Sequence, residues 1–270
     1  MYLRAVHSTF HLPTLYDFIR RNALGLLTTT IASEEHPLIQ ASHIPWILDE
    51  ANYSEDGDED ASAREAKGLP LGILRGHLSR ANPQAKAIIS AAQRQADSKP
   101  DATGRIPFPD GPVTLPEEVL VMFTGIEHYL TPKFYTATKP ATGKVVPTWN
   151  YEAVQAYGRI TVYPSTTSDE ADRFLSKAIR DLSHQQEFAM GYDGQEGRRG
   201  EWQVSDAPEK FISLLKKSIV GVSIEITRLG GKFKMSQEVK KEDREGVIEG
   251  FAAIGEAEMK ESVQKWGEKS

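Results

Sequence analysis

Gly76-His77-Leu78-Ser79-Arg80-Ala81-Asn82-Pro83-Gln84 is the stretch on which the fold turns. The apolar run over residues 72–78 predicts a buried strand. Asn82 before Pro83 predicts a helix start, because an asparagine oxygen caps free backbone N–H groups and proline suits the first helical position. A strand thus runs out into a helix mouth where Ser79, Arg80 and Asn82 stand together. Unpaired N–H groups at such a mouth attract anions, and an arginine adds a bidentate partner for a phosphate. Gly76 permits close backbone approach. Spacing alone serves equally well a reading in which Asn82 only caps and Arg80 is a surface charge.

Outward from that point, strands and helices alternate. Residues 13–22 predict a helix with Leu15, Phe18 and Ile19 on one face, and residues 24–31 a buried strand. Residues 38–48 predict a second strand, with an edge or bulge at Pro45. Further strands are expected at 119–124, 128–130 and 154–163. Residues 169–184 predict a helix, and Asp206 with Glu209 predicts a capping box that opens another. Val220, Val222, Ile224 and Ile226 alternate with Gly221, Ser223, Glu225 and Thr227, the pattern of a strand with one buried face. From Gly246 the chain is helical and amphipathic. Three polar, Gly- or Pro-rich stretches, 50–68, 95–118 and 191–200, read as solvated loops. This order fits a mainly β fold with flanking helices (α+β), an antiparallel barrel with helices outside. No G-x-G-x-x-G opens a helix after a strand, which disfavours a doubly wound α/β sheet.

Composition narrows the function classes. The 270 residues hold no cysteine, which removes disulfides, thiolate catalysis and cysteine-ligated metals. With neither an 18-residue apolar run nor a signal-like start, the expectation is a cytoplasmic protein that does not enter a membrane. A net charge of −6 makes direct nucleic-acid binding a poor default. No H-E-x-x-H is present, so no metal site is expected.

Polar and aromatic residues concentrate in five strand-like segments: 41–46, 76–84, 128–135, 145–151 and 231–237. His43 and His77 are the side chains there that titrate near neutral pH, although a lone strand histidine is more often structural. Trp149 and Tyr151 can cover a planar ring, while Thr148 and Asn150 can read its polar edge; core packing after Pro147 is the plainer account. Lys232 and Lys234 share a strand face, where a solvated edge strand is the plainer account.

Taken in order, these segments resemble the PaiB family, whose members were named as negative transcriptional regulators and are similar to FMN-binding split barrels of pyridoxamine-phosphate-oxidase type. The resemblance rests on the Met1-Tyr2 start, Ala41-Ser42-His43-Ile44-Pro45, the intact string 76–84, Val146-Pro147-Thr148-Trp149-Asn150-Tyr151, Asp206-Ala207-Pro208, Ile219-Val220-Gly221 and Lys234-Met235-Ser236-Gln237. It departs at Thr131-Pro132-Lys133-Phe134-Tyr135, at Gln186, and at Glu238, where the family carries Asn. The resemblance implies a six-stranded antiparallel split β-barrel over residues 1–190, interrupted by 50–68 and 95–118, with a helix-strand-helix extension over 191–270 packed on it. It also implies a homodimer with FMN between subunits: phosphate on Ser79, Arg80 and Asn82, ring beside Thr148, Trp149, Asn150 and Tyr151. His43, His77, Lys232 and Lys234 are further cofactor-binding candidates. Three functions follow: a flavin-dependent oxidoreductase or flavin-binding protein, a haem-binding or haem-degrading relative using His43 or His77, and a regulator without turnover. No catalytic acid, base or nucleophile identifies itself, since a flavin carries its own redox chemistry.

Overall fold

Period-two apolar patterning builds a single curled sheet. The computed structural model describes residues 1–52, 59–96, 99–102, 104, 106–195 and 199–267. In chain order the elements are β1 (Ser8–Thr9), α1 (Leu12–Arg21), β2 (Leu24–Thr30), β3 (Ile39–Pro45), β4 (Ile47–Asp49), α2 (Ala61–Ala66), β5 (Ile73–Ser79) and α3 (Pro83–Gln95). They continue with β6 (Val113–Leu130), α4 (Thr138–Thr142), β7 (Thr148–Tyr163), α5 (Asp169–Ala189), α6 (Glu209–Lys217), β8 (Ile219–Lys234), α7 (Lys241–Ala253) and α8 (Ala257–Gly267). The sheet is antiparallel along the path β3-β2-β6-β7-β8-β5-β4, and β1 adds to β8.

β3 and β4 stand at opposite ends of that path, yet only Trp46 separates them in sequence. The sheet therefore curls back on itself there, and β3–β4, read as one bent strand, completes the six staves of a split barrel. Pro45 has no N–H to continue a ladder, which favours a break at this point. The Trp46 N–H instead donates to Ala23 O at 2.9 Å, and its indole is buried. A Cβ on Gly76 would lie 3.0 Å from that indole, so the close approach that Gly76 permits is to Trp46.

Inside, Leu27, Leu74, Val121, Phe123, Val154, Val222 and Ile224 are wholly buried. Each such side chain contributes about 1.5–3 kcal/mol by leaving water. Leu12, Leu15 and Phe18 of α1 pack on this core, with Phe18 edge-on to Phe233 at 5.3 Å; Trp266 of α8 stacks on Phe233 at 4.3 Å.

Several expectations are corrected. Residues 61–66, read as loop, form α2, because Asp60 caps Ala63 N at 2.8 Å and buried Arg64 ties the helix to Pro70 O at 3.0 Å. Of the three stretches read as loops, residues 53–58, 97, 98, 103, 105 and 196–198 lie outside the described residues. Residues 119–124 and 128–130 belong to one strand, β6, irregular between Thr124 and Glu127; it begins at Val113, so the end of the stretch 95–118, read as loop, pairs with β7 instead. Asp206 does not cap α6. Its carboxylate accepts from Gln203 N at 2.9 Å, and extended Ala207 separates it from the helix, which opens after Pro208. The strand beyond residue 190, β8, lies between β7 and β5, so the sheet is incomplete at that residue. No helix among the described residues is long and apolar enough to cross a membrane.

Candidate cofactor site

The strand-to-helix reading of residues 76–84 holds in detail. β5 ends at Ser79, and α3 begins at Pro83 with the Asn82 side chain accepting from Gln84 N at 2.8 Å. The Asn82 amide also donates to Ser42 Oγ at 2.9 Å, which ties the helix mouth to β3 beside His43. Ser79 is exposed, and its hydroxyl accepts weakly from Ala81 N at 3.3 Å.

Arg80 is the central feature. Its backbone N–H donates to Ser218 O at 2.9 Å. Its Nε and Nη2 donate to Ile219 O and Pro164 O, each at 2.8 Å, and Phe108 lies 5.1 Å from the guanidinium. Nη1 is buried without a partner, and no carboxylate among the described residues pairs with the charge. Burial pushes its pKa down. A half-buried cation held only by neutral carbonyls is oriented but not neutralised, which is the condition of an anion receptor. His77 precedes it on β5: its Nδ1 is buried without a partner, and burial lowers its pKa, so the ring stays neutral at pH 7. His43, paired with Leu26 on β2, is exposed.

The second group lies elsewhere on the sheet. Trp149 and Tyr151 alternate outward at the start of β7, and Tyr129 meets Trp149 edge-on at 6.0 Å. Asn150 points the other way, fully buried, donating to Ser236 Oγ at 3.1 Å. Its amide is committed to holding Ser236, a residue at φ +62° two positions beyond the end of β8. Lys234 Nζ donates to Thr148 Oγ1 and Trp149 O, each at 2.9 Å, and lies 3.6 Å from Glu238. Lys232 sits apart, 5.4 Å from the Tyr151 ring and 5.8 Å from that of Tyr2. Lys232 is paired on both sides, with Ala153 of β7 and Ser8 of β1, so it does not guard an edge, while Lys234 pairs only with Tyr151 of β7.

Ser79, Arg80 and Asn82 therefore come together, as do Thr148, Trp149 and Lys234. Ser79 pairs with Ile219 at one end of β8, while Lys234 lies at the other. Along the strand that is roughly 50 Å at about 3.3 Å per residue. One copy of the chain does not bring the phosphate-type mouth to the aromatic pair.

Sequence reading missed the partner of Lys234. Glu238 accepts from buried His7 at 2.8 Å. Burial works against the Glu238 charge, but the His7 hydrogen bond, a backbone N–H and Lys234 outweigh it and hold the carboxyl below its ordinary range. The signal available was the departure from the family Asn at 238. Phe108, over Arg80, left none.

A family model described as "Putative FMN-binding domain" matches residues 1–228. An uncharacterised protein of Aspergillus fumigatus is 54% identical over 258 residues, covering 94% of this chain and 92% of its own. Protease synthase and sporulation protein PAI 2 of Bacillus subtilis is 21% identical over 249 residues, 92% of this chain and 88% of its own. Among solved structures, the FAD and haem binding protein of Mycobacterium smegmatis aligns at 11% identity and a TM-score of 0.41, covering 84% of this chain and 73% of that one.

Proposed function

Because the chain belongs to the FMN-binding family that matches it over residues 1–228, with a PaiB-type protein among its relatives, we propose that it is a homodimeric, cytoplasmic flavoprotein that uses FMN between subunits as a flavin-dependent oxidoreductase. Arg80 is the observation that carries this reading. A guanidinium fixed by two carbonyls, with a buried unpartnered Nη1 at the mouth of a 13-residue helix, fits a phosphate better than a solvated surface role. Ser79 adds an exposed hydroxyl and Asn82 an amide beside it.

The ring end is drawn from the partner. A two-fold axis that brings one copy's Arg80 to the other's Trp149 joins the two groups that a single chain keeps apart. Trp149 and Tyr151 then cover one face of the ring, and Lys232 and Lys234 supply positive charge near it. Thr148 and Asn150 act indirectly, Thr148 by accepting from Lys234 and Asn150 by holding the turn at Ser236. Bound FMN would supply hydride or electron transfer, and the chain's part is to orient it and exclude water.

Haem is a second reading, favoured by one observation: His77 is neutral, with Nδ1 buried and unpartnered, which suits a ligand nitrogen. Titrating the purified protein with FMN and, separately, with haemin while recording visible spectra separates the two. Saturation at one FMN per chain, with sharpened flavin bands, is expected. A saturable Soret band that His77→Ala abolishes, with no flavin binding, would put haem in its place.

A further inference from the structure

The Pro-rich stretch before β6 contains a stiff segment laid over Arg80. Ile106-Pro107-Phe108-Pro109 belongs to no strand or helix. Each proline fixes its own φ and holds the residue before it extended, so the four residues move as one piece. Among the described residues the segment makes no backbone hydrogen bond to another backbone group. The Gln93 amide of α3 holds it instead, donating to Ile106 O at 2.8 Å and to Pro107 O at 3.2 Å. A glycine stands on either side: Gly104 at φ +79°, and Gly111, where a Cβ would meet nothing within 4 Å. A stiff piece between two unencumbered glycines, tied down by one side chain, has the make-up of a hinged strap.

What it covers is the phosphate-type mouth. The ring of half-buried Phe108 lies 5.1 Å from the Arg80 guanidinium, within cation–π range, and Nη1 is buried without a partner. The carbonyls that hold the guanidinium, Pro164 O and Ile219 O, sit at the ends of β7 and β8 and are fixed by the sheet. A ligand oxygen reaches a buried Nη1 only after one wall moves, and Phe108 is the wall that no strand carries. We propose that residues 106–109 are a strap over the Arg80 mouth, with Phe108 as its plug and Gln93 as its tether, and that a phosphomonoester gains Arg80 by lifting it. The proposal rests on the reading of Arg80 as a phosphate receptor. A phosphomonoester near pH 7 carries about 1.5 to 2 negative charges, enough to replace what the guanidinium loses with the ring.

The first test uses no flavin. Full-length apo-protein is treated with phenylglyoxal, which attacks accessible guanidinium groups, and the labelled arginines are mapped by peptide mass spectrometry. Arg80 should label far more slowly than exposed Arg180 in the wild type and approach it in Phe108→Ala. Arg80 that labels as fast as Arg180 in the wild type, or that stays protected in Phe108→Ala, overturns the strap. Stopped-flow mixing with FMN and, separately, with riboflavin gives the second reading. Phe108→Ala should raise the FMN association rate roughly 2- to 30-fold, the range that one cation–π contact spans, and leave that of riboflavin unchanged. Gln93→Ala keeps the plug and cuts the tether, and should raise the FMN rate less. A side chain that only packs would affect both flavins alike, and an FMN rate unchanged in both variants overturns the proposal. Arg80→Ala keeps the two claims apart. If it removes the advantage of FMN over riboflavin while the strap variants change nothing, the phosphate reading stands and the strap falls. If it binds FMN like the wild type while Phe108→Ala exposes Arg80 to phenylglyoxal, the strap stands as a cover and the phosphate reading falls.

Discussion

Replacing Arg80 by alanine removes a guanidinium that the fold has already aimed. In the free protein it donates to Ile219 O and Pro164 O, each at 2.8 Å, and leaves Nη1 unpartnered. If a phosphate takes that nitrogen, the charged hydrogen bond contributes about 1.5–3 kcal/mol to binding. At 1.4 kcal/mol per decade, Arg80→Ala should raise the Kd for FMN roughly 10- to 150-fold. Folding suffers separately, because two carbonyls lose a donor at about 0.5–1.5 kcal/mol each. Part of that is offset, since burial disfavours the Arg80 charge. Fluorescence titration of FMN reads the first effect, and urea unfolding of the apo-protein reads the second. Arg80→Lys keeps the charge but loses the planar fork, and should fall between wild type and alanine. An alanine variant that binds FMN within twofold of wild type refutes the phosphate assignment, whatever its stability.

Glu238 has a folded pKa below its ordinary value, so its stabilisation is present above the carboxylate range and lost as pH falls through the folded pKa; Glu238→Gln should flatten urea stability against pH below about pH 5. His77 has the opposite charge logic: its folded pKa is lowered, so the unfolded chain binds the proton first and stability falls as pH drops below about 6.5, an effect His77→Gln should remove. At Gly158, where β7 slips register against β8, a Cβ would lie 2.1 Å from Glu225 O; Gly158→Ala should cost about 1–3 kcal/mol or more in urea unfolding, and a neutral result would contradict the strand approach described.

What the sequence made legible was local chemistry. The Asn82-Pro83 cap, the break at Pro45 and the alternation of Val220, Val222 and Ile224 each follow from steric or hydrogen-bonding preferences of a few adjacent residues. What it concealed was long-range. That β8 pairs with β5 as well as β7 depends on Ser79 meeting Ile219, 140 residues along. The six-residue α2 is capped by Asp60 and tied by Arg64 to Pro70 O six residues along, with little apolar periodicity to announce it. The site divides in the same way: the Arg80 mouth is contiguous in sequence and could be read whole. Asn150 shows the opposite limit. Its polar side chain resembles a ligand contact, but strand alternation turns it inward to Ser236. The separation of Arg80 from Trp149 becomes visible only once β8 is laid out from Ile219 to Lys234.

That separation sets the most direct test, which is complementation between subunits. Arg80→Ala and Trp149→Ala chains are co-expressed with different tags, the mixed dimer is isolated, and FMN binding is titrated. A site built from one copy's Arg80 and the other's Trp149 leaves each mixed dimer with one intact site and one doubly impaired site. The account predicts wild-type affinity at one FMN per two chains, although both parents bind weakly. A mixed dimer that binds no better than either parent would contradict a cofactor site shared between subunits.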